Sequence, residues 1–353
     1  MSQATVQIAD RSIGDNHSPM IIAEMSGNHN RSLDRALAIV DAAAGAGADA
    51  IKLQTYTADT MTLDVDGPGF CIEDPDSLWN GRKLHDLYDE AHTPWQWHAA
   101  IFERARERGI LAFSSPFDES AVDFLESLDV PAYKIASFEL THLPLVRKVA
   151  QTGKPLIMST GMATLTEIQQ SLETACDAGA KQIILLKCTS SYPADPTDSH
   201  LRTISDMREK LGVQIGLSDH TMGVGASVAA VALGATVIEK HFTLDRSEGG
   251  VDSQFSLEPD ELRQLVTETK RAWQSLGRVS YGAIGKQQAS LAFRQSIYVC
   301  DDVAAGTEVT SDHLRIVRPG FGLPPKDWDR VIGKVANRDL RRGEPTDWKM
   351  FAA

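Results

Sequence analysis

Residues 50–54 read Ala-Ile-Lys-Leu-Gln, a short apolar run with a lysine at its centre and a polar residue at its end. On a strand, Lys52 and Gln54 share one face, and Ile51 and Leu53 the other. An unpaired buried charge costs several kcal/mol or is neutralised, so a lysine inside such a run implies a polar centre that receives it. The same shape recurs at 20–24 (MIIAE), 110–115 (ILAFSS), 132–137 (AYKIAS), 155–160 (PLIMST), 182–190 (QIILLKCTS), 214–220 (QIGLSDH) and 236–242 (TVIEKHF). Among the polar ends are Glu24, Lys134, Lys187, His220 and His241. Charges at one end of successive apolar strands point to a shared site.

Helical patterns separate the runs. Residues 33–46 lead to Gly47, and Thr93-Pro94 opens a helix toward Gly109, with proline suited to the first helical position. Further helices are expected at 118–128, 144–150, 200–211, 225–233 and 259–276, and a capping-box pattern, Thr164-Leu-Thr-Glu167, starts one that leads to Gly179. Eight strand–helix units in about 260 residues predict a TIM (β/α)8 barrel. A doubly wound open sheet usually has fewer strands and a glycine-rich first turn, and no GxGxxG follows the first run. The long connection 55–93 would lie on the catalytic face as a substrate cover.

After Tyr281 the strands shorten and glycine turns crowd together. Asp302-Val-Ala-Ala-Gly306 resembles Asp339-Leu-Arg-Arg-Gly343, a weak internal repeat. The expected α/β organisation is therefore a barrel at 1–281, a linker at 282–290 and a small, mostly β domain at 291–353.

The net charge of −13 is spread along 353 residues, without the basic footprint of a nucleic-acid partner. No run reaches the roughly 20 apolar residues of a membrane span, and the N-terminal stretch lacks the apolar core of a signal peptide. Cys71, Cys176, Cys188 and Cys300 form no CxxC pair. These features lead us to expect a cytoplasmic protein with reduced thiols and no membrane partner.

Strand parity sorts the polar ends. Lys134 opposes Tyr133 and Ile135, so Lys52 and Lys134 would face one cavity and hold a phosphate or carboxylate; the bland alternative is that each snorkels to solvent. His220 shares the parity of Ser218, and His241 that of Glu239, which puts Lys240 on the opposite face. Two inward histidines on adjacent strands can share a divalent metal, although lone histidines are commonly structural and spacing alone leaves both readings open. Without a fixed carboxylate, the remaining positions fall to water and substrate oxygens, which suits octahedral Mn²⁺ or Mg²⁺ better than structural Zn²⁺. Glu24 could serve as general acid or base, or form a salt bridge to Lys52. Glu139 stands near the same rim. The hydroxyls of Ser114-Ser115, Ser159-Thr160 and Thr189-Ser190-Ser191 could bind an anion.

Over nearly its whole length the chain resembles the sialic acid synthase family, which condenses phosphoenolpyruvate with an N-acetylated amino sugar. The resemblance rests on AEMSGNHN (23–30), KLQTYTADTMTL (52–63), SSPFDE (114–119), YKIASFE (133–139), MSTGM (158–162), KCTSSYP (187–193), GLSDHTMG (216–223), IEKHFTLDR (238–246) and, in a C-terminal antifreeze-like (SAF) domain, RPGFGLPP (318–325). It implies that Lys52, Ser115, Lys134, Ser137, Ser159, Ser190 and Ser218 hold phosphoenolpyruvate. His220 and His241 would hold the metal, Mn²⁺ first, with Mg²⁺ or Co²⁺ as alternatives, and Glu24 would handle protons. Gln54, Glu139, Tyr192 and Asp252 would face the sugar. Arg318 would reach it from the SAF domain of a partner subunit in a swapped homodimer.

The segments KLQTYTADTMTL and DLYDEAHTPWQWH (86–98) look most like the members that use a 2,4-diacetamido-2,4,6-trideoxy-altrose. Ser190 stands where the sialic acid enzymes carry Asn, and Leu53 where they carry His. Ser190 weakens one phosphate contact, and both departures argue against N-acetylmannosamine. The alternatives are the same chemistry giving legionaminic or N-acetylneuraminic acid and, more remotely, a non-catalytic carbohydrate-binding protein.

Overall fold

A computed structural model describes residues 4–75 and 77–352. The chain divides into two compact units, Met1–Gly277 and Arg278–Ala353.

In the first unit eight parallel strands close into a barrel: β1 (Met20–Glu24), β2 (Ala50–Thr55), β3 (Leu111–Pro116), β4 (Tyr133–Ile135), β5 (Leu156–Ser159), β6 (Ile183–Cys188), β7 (Gln214–Ser218) and β8 (Val237–His241), which pairs with β1. Alternation along these strands creates two cores. Inward residues, including Met20, Ile22, Phe113, Ile157, Ile184, Leu186 and Val237, fill the barrel's lower part. Outward residues, including Ile21, Ile51, Tyr133, Ile135, Leu185 and Ile238, pack on the surrounding helices. Gly216 lies at the crowded centre, where a Cβ would stand 2.4 Å from the Val237 carbonyl and 2.6 Å from Leu186. The inner column therefore begins apolar and becomes charged toward the C-terminal strand ends. The register levels those ends: Glu24 pairs with Lys52 on one side and with His241 on the other.

The enclosing helices are α1 (Leu33–Ala46), α2 (His98–Glu107), α3 (Glu119–Ser127), α4 (Leu143–Ala150), α5 (Leu165–Asp177), α6 (Arg202–Leu211), α7 (Gly225–Ala232) and α8 (Pro259–Leu276). Ser32 and Asp118 cap α1 and α3, and Thr164 with Glu167 forms the expected capping box on α5. The helix expected to open at Thr93-Pro94 begins later. Pro94 has ψ 130°, outside the helical region, and a 3₁₀ turn (Trp95–Trp97) precedes α2.

Two features were not anticipated. A hairpin of Val6–Ile8 and Arg11–Ile13 packs Val6, Ile8 and Ile13 on the apolar end of the barrel and closes it. The connection after β2 carries short helices at Ala58–Met61 and Leu84–Ala91 and a bridge between Cys71 and Lys83.

The second unit holds an antiparallel pair, β9 (Ser296–Val299) and β10 (Leu314–Val317), over a small core of Ile297, Val299, Val309, Leu314, Val331 and Leu340. The two repeat-like segments meet each other through a Val303–Leu340 bridge. The stretch read as a linker includes a helical turn, Gln287–Ser290.

Candidate active site

The charged end of the barrel is built around four buried side chains. Lys52 forms an ion pair with Glu24 and stands 3.7 Å from Glu239. Lys134, across the barrel on β4, lies 3.1 Å from Glu239. All four groups are 5% exposed or less, so the lysines turn inward, as parity requires, and do not snorkel to solvent. The Glu24–Lys52 salt bridge, the structural alternative for Glu24, is present, and Gln54 also donates to Glu24 at 3.2 Å. Glu239 escaped the sequence reading as a site residue, although its shared parity with His241 was the available signal.

Hydroxyls ring this cluster. Lys52 donates to Ser115 at 3.3 Å, and Ser218 donates to Glu239 at 3.4 Å. Ser190 donates to Ser137 at 2.8 Å, while the Ser159 hydroxyl is buried with no partner among the described residues.

Burial raises the Glu24 carboxyl's pKa, and the lysines only partly oppose it. Burial works against a charged Lys52, but Glu239 and Glu24 outweigh it and hold its pKa above the usual value. Lys134 is lowered by burial, with Glu239 only partly compensating. Burial would raise Glu239, yet Lys134 and Lys52 hold it below the ordinary carboxylate range. An entering anion would therefore compete with Glu239 for Lys134.

His220 and His241 stand beside one another, ring centroids 5.3 Å apart. The His220 Nδ1 lies 2.8 Å from the Thr189 carbonyl, so Nδ1 carries a proton and donates there. Burial works against a charged ring, but Cys188 and the Thr189 carbonyl hold its pKa above the usual value, and Nε2 offers a lone pair only in the neutral ring. His241 is buried, and its Nδ1 has no hydrogen-bond partner among the described residues. Burial lowers its pKa well below the usual value, so it is neutral, as a ligand must be. The His241 ring thus fits metal ligation as it stands, and the His220 ring fits it on giving up its second proton. No group of three or more His, Cys, Asp or Glu side chains among the described residues is placed to hold a metal, so a metal here would need oxygen ligands from water or substrate. Cys188 lies beside His220; burial would raise the thiol, but His220 brings it down to about 7.

Above these groups opens a cavity of about 350 Å³. Gln54, Ser137, Glu139, Ser190, Tyr192, His241 and Asp252 supply its polar wall. Met61, Ile72, Trp79, Leu84, Leu87 and Tyr88, all from the long connection after β2, supply much of the apolar wall. The Tyr192 ring packs 4.5 Å from His220. Ser26 donates to Asp252, whose pKa is raised by burial. Lys240 lies outside this cavity, paired with Asp219 at 3.0 Å and donating to the Thr221 carbonyl at 2.6 Å, as its parity predicted. Arg318 belongs to the second unit, exposed on the segment after β10.

Glu139 is pushed by burial to about 7, and its Oε2 has no partner among the described residues. A raised acid pKa means the folded state holds its proton longer than the unfolded one. Stability from this group is complete below the unfolded value of 4.5 and is lost as pH rises through about 7. Replacing Glu139 with glutamine is expected to flatten that loss. Denaturant unfolding should find Glu139→Gln more stable than the parent at pH 8, by about 1–3 kcal/mol, with little difference at pH 4.5.

A NeuB family model matches residues 39–281, and a SAF domain model matches residues 294–352. Pseudaminic acid synthase of Campylobacter jejuni is 45% identical over 324 residues, 92% of this chain and 94% of that protein. N,N'-diacetyllegionaminic acid synthase of the same organism is 33% identical over 329 residues, 92% of this chain and 98% of that protein. The crystal structure of N-acetylneuraminic acid synthetase from Leptospira borgpetersenii superposes with a TM-score of 0.73 at 33% identity, covering 82% of this chain and 96% of that one.

Proposed function

This chain belongs to the NeuB family, and from that premise we propose that it is a pseudaminic acid synthase. It would condense phosphoenolpyruvate with 2,4-diacetamido-2,4,6-trideoxy-L-altrose and water to give pseudaminic acid and phosphate. The observation that carries the reading is the inward pair Lys52 and Lys134, ringed by serines, on the same strand ends whose next residues, Gln54 and Ser137, line a cavity with an apolar wall. The choice of sugar follows the higher identity to the pseudaminic acid enzyme than to the legionaminic one.

In this mechanism Lys134, Ser137, Ser159 and Ser190 hold the phosphate end, while Lys52, Ser115 and Ser218 hold the carboxylate end. Gln54, Glu139, Tyr192 and Asp252 place the open-chain sugar over the methylene carbon. That carbon attacks the aldehyde, and the aldehyde oxygen takes the proton of the Glu24 carboxyl, whose pKa is raised by burial. Water adds to the enol carbon and gives a proton to Glu24. The tetrahedral adduct then collapses: its C–O bond to phosphate breaks, the ketone forms, and the hydroxyl proton leaves with phosphate. A divalent metal, Mn²⁺ by preference, held by His220 and His241 would polarise the aldehyde when bound. Fixed charges in a water-poor site carry most of the remaining stabilisation.

The same reading makes the protein a cytoplasmic, domain-swapped homodimer, with Arg318 of one protomer meeting the sugar in the other. Exposed apolar side chains support a covering partner: Phe138 and Met162 near the barrel mouth, and Phe293 and Phe321 on the second unit.

A panel of sugars separates the readings. Phosphate release with the diacetamido altrose should exceed that with N-acetylmannosamine by about a hundredfold or more in kcat/KM, because an apolar pocket rejects an added hydroxyl by roughly that factor. Equal rates with the two sugars would remove the sugar assignment and leave the condensation.

A further inference from the structure

Four lysines at the C-terminal end of the barrel are buried. Lys52, Lys134 and Lys240 each have a carboxylate within ion-pair distance. Lys187 has none among the described residues; its ammonium reaches only the Thr189 hydroxyl, at 2.6 Å. Lys187 follows the outward parity of Leu185, not the inward parity of Leu186. It therefore lies outside the barrel lumen, and it lines a second cavity of about 490 Å³ between the loops after β5 and β6.

This second cavity adjoins the first. Ser190 lines both. The partition beside it is thin: the Ser190 and Ser137 hydroxyls bond at 2.8 Å and Gly161 closes against them. A Cβ on Gly161 would fall 2.5 Å from the Ser137 Cβ and 2.8 Å from the Ser190 hydroxyl, and its φ of +49° already favours glycine. The backbone N–H groups of Gly161, Met162, Ser190 and Ser191, all lining residues of the second cavity, donate to no protein acceptor among the described residues. The Asp198 carboxylate also lines the cavity, but it is exposed and makes no ion pair with Lys187.

An ammonium without a counter-ion, with free amides around it, asks for an oxyanion. We propose that the Lys187 cavity is a second anion site, an antechamber that receives inorganic phosphate after it leaves the barrel. The proposal rests on the reading that phosphate is the product released beside Ser137 and Ser190. Phosphate would pass the hydroxyl partition from Lys134 to Lys187, exchanging one ammonium for another, while the sugar acid leaves through the apolar-walled mouth. Separate exits would let the two products depart in either order.

The test is calorimetric titration of inorganic phosphate into the full chain with Mg²⁺ and saturating phosphoenolpyruvate, so that the lumen is occupied. The parent chain should still bind one phosphate. Lys187→Gln should bind it about tenfold or more weakly, the usual worth of a charged hydrogen bond, with phosphoenolpyruvate affinity changed less than twofold. Lys187→Arg, which keeps the charge, should retain most of the affinity and guards against a folding artefact. Unchanged phosphate affinity in Lys187→Gln, or no phosphate bound above phosphoenolpyruvate, overturns the antechamber. If phosphoenolpyruvate itself fails to bind, the function reading fails instead; phosphate titration of the unliganded parent and Lys187→Gln then still decides the role of Lys187.

Discussion

Lys134→Met is expected to lower turnover by at least about a thousandfold and to destabilise the fold by about 3 kcal/mol or more. The two losses have separate causes. Lys134 is the cation nearest Glu239, at 3.1 Å, and the remaining one, Lys52, is farther at 3.7 Å and already paired with Glu24. Removing Lys134 leaves a buried carboxylate under-compensated, and that is the costly way to break an internal ion pair. The Glu239 pKa, now held down by the two lysines, would rise. The variant should therefore recover stability as pH falls and Glu239 takes a proton, whereas the parent loses the contribution of its depressed Glu239 on acidification. Adding Glu239→Gln to Lys134→Met should restore much of the stability at neutral pH and none of the phosphoenolpyruvate consumption. Urea melts at two pH values, with a phosphate-release assay, read both. Near-parental turnover in Lys134→Met would remove the lysine from phosphoenolpyruvate binding.

The barrel was legible because it rests on a repeated local rule. Each strand needs inward and outward residues in alternation, and eight such segments spaced by helices leave few other architectures. The same period-2 rule put Lys52 and Lys134 inside and Lys240 outside. Glu239 was harder to see, since its importance comes from closing β8 beside β1 and bringing a third strand's carboxylate between two lysines. The N-terminal hairpin was missed for a related reason: three-residue strands carry too little pattern, and Val6, Ile8 and Ile13 acquire meaning only against the open end of a barrel. The apolar wall from the long connection is likewise a tertiary product. Met61, Ile72 and Leu84 show no common periodicity, and the loop's fold alone brings them to one cavity. Lys187 shares a run with Ser190 but not its parity, so the run alone does not say which side the lysine faces; the structure puts it on the second cavity only, with Ser190 on both.

His241→Ala is expected to abolish condensation while sparing the fold, the reverse balance to Lys134→Met. His241 is neutral, with its pKa well below the usual value because of burial, so its removal strands no charge. Its Nδ1 makes no hydrogen bond that would be lost. What goes is ring packing against Phe255 at 4.9 Å and His220 at 5.3 Å, worth about 1–2 kcal/mol beside an open cavity. If the proposed metal spans both histidines, one ring cannot hold it, and loss of aldehyde polarisation costs several kcal/mol of transition-state stabilisation, about a thousandfold or more in rate. Chelation of the parent chain should reproduce the loss, and Mn²⁺ should reverse it in the parent but not in His241→Ala. Thermal melts of the variant should stay within a few degrees of the parent. The decisive contrast is the rate of a rigorously metal-free parent. Full turnover there would take the metal out of the mechanism and leave His241 as a neutral wall of the sugar cavity, whose loss would then show in KM and not in kcat.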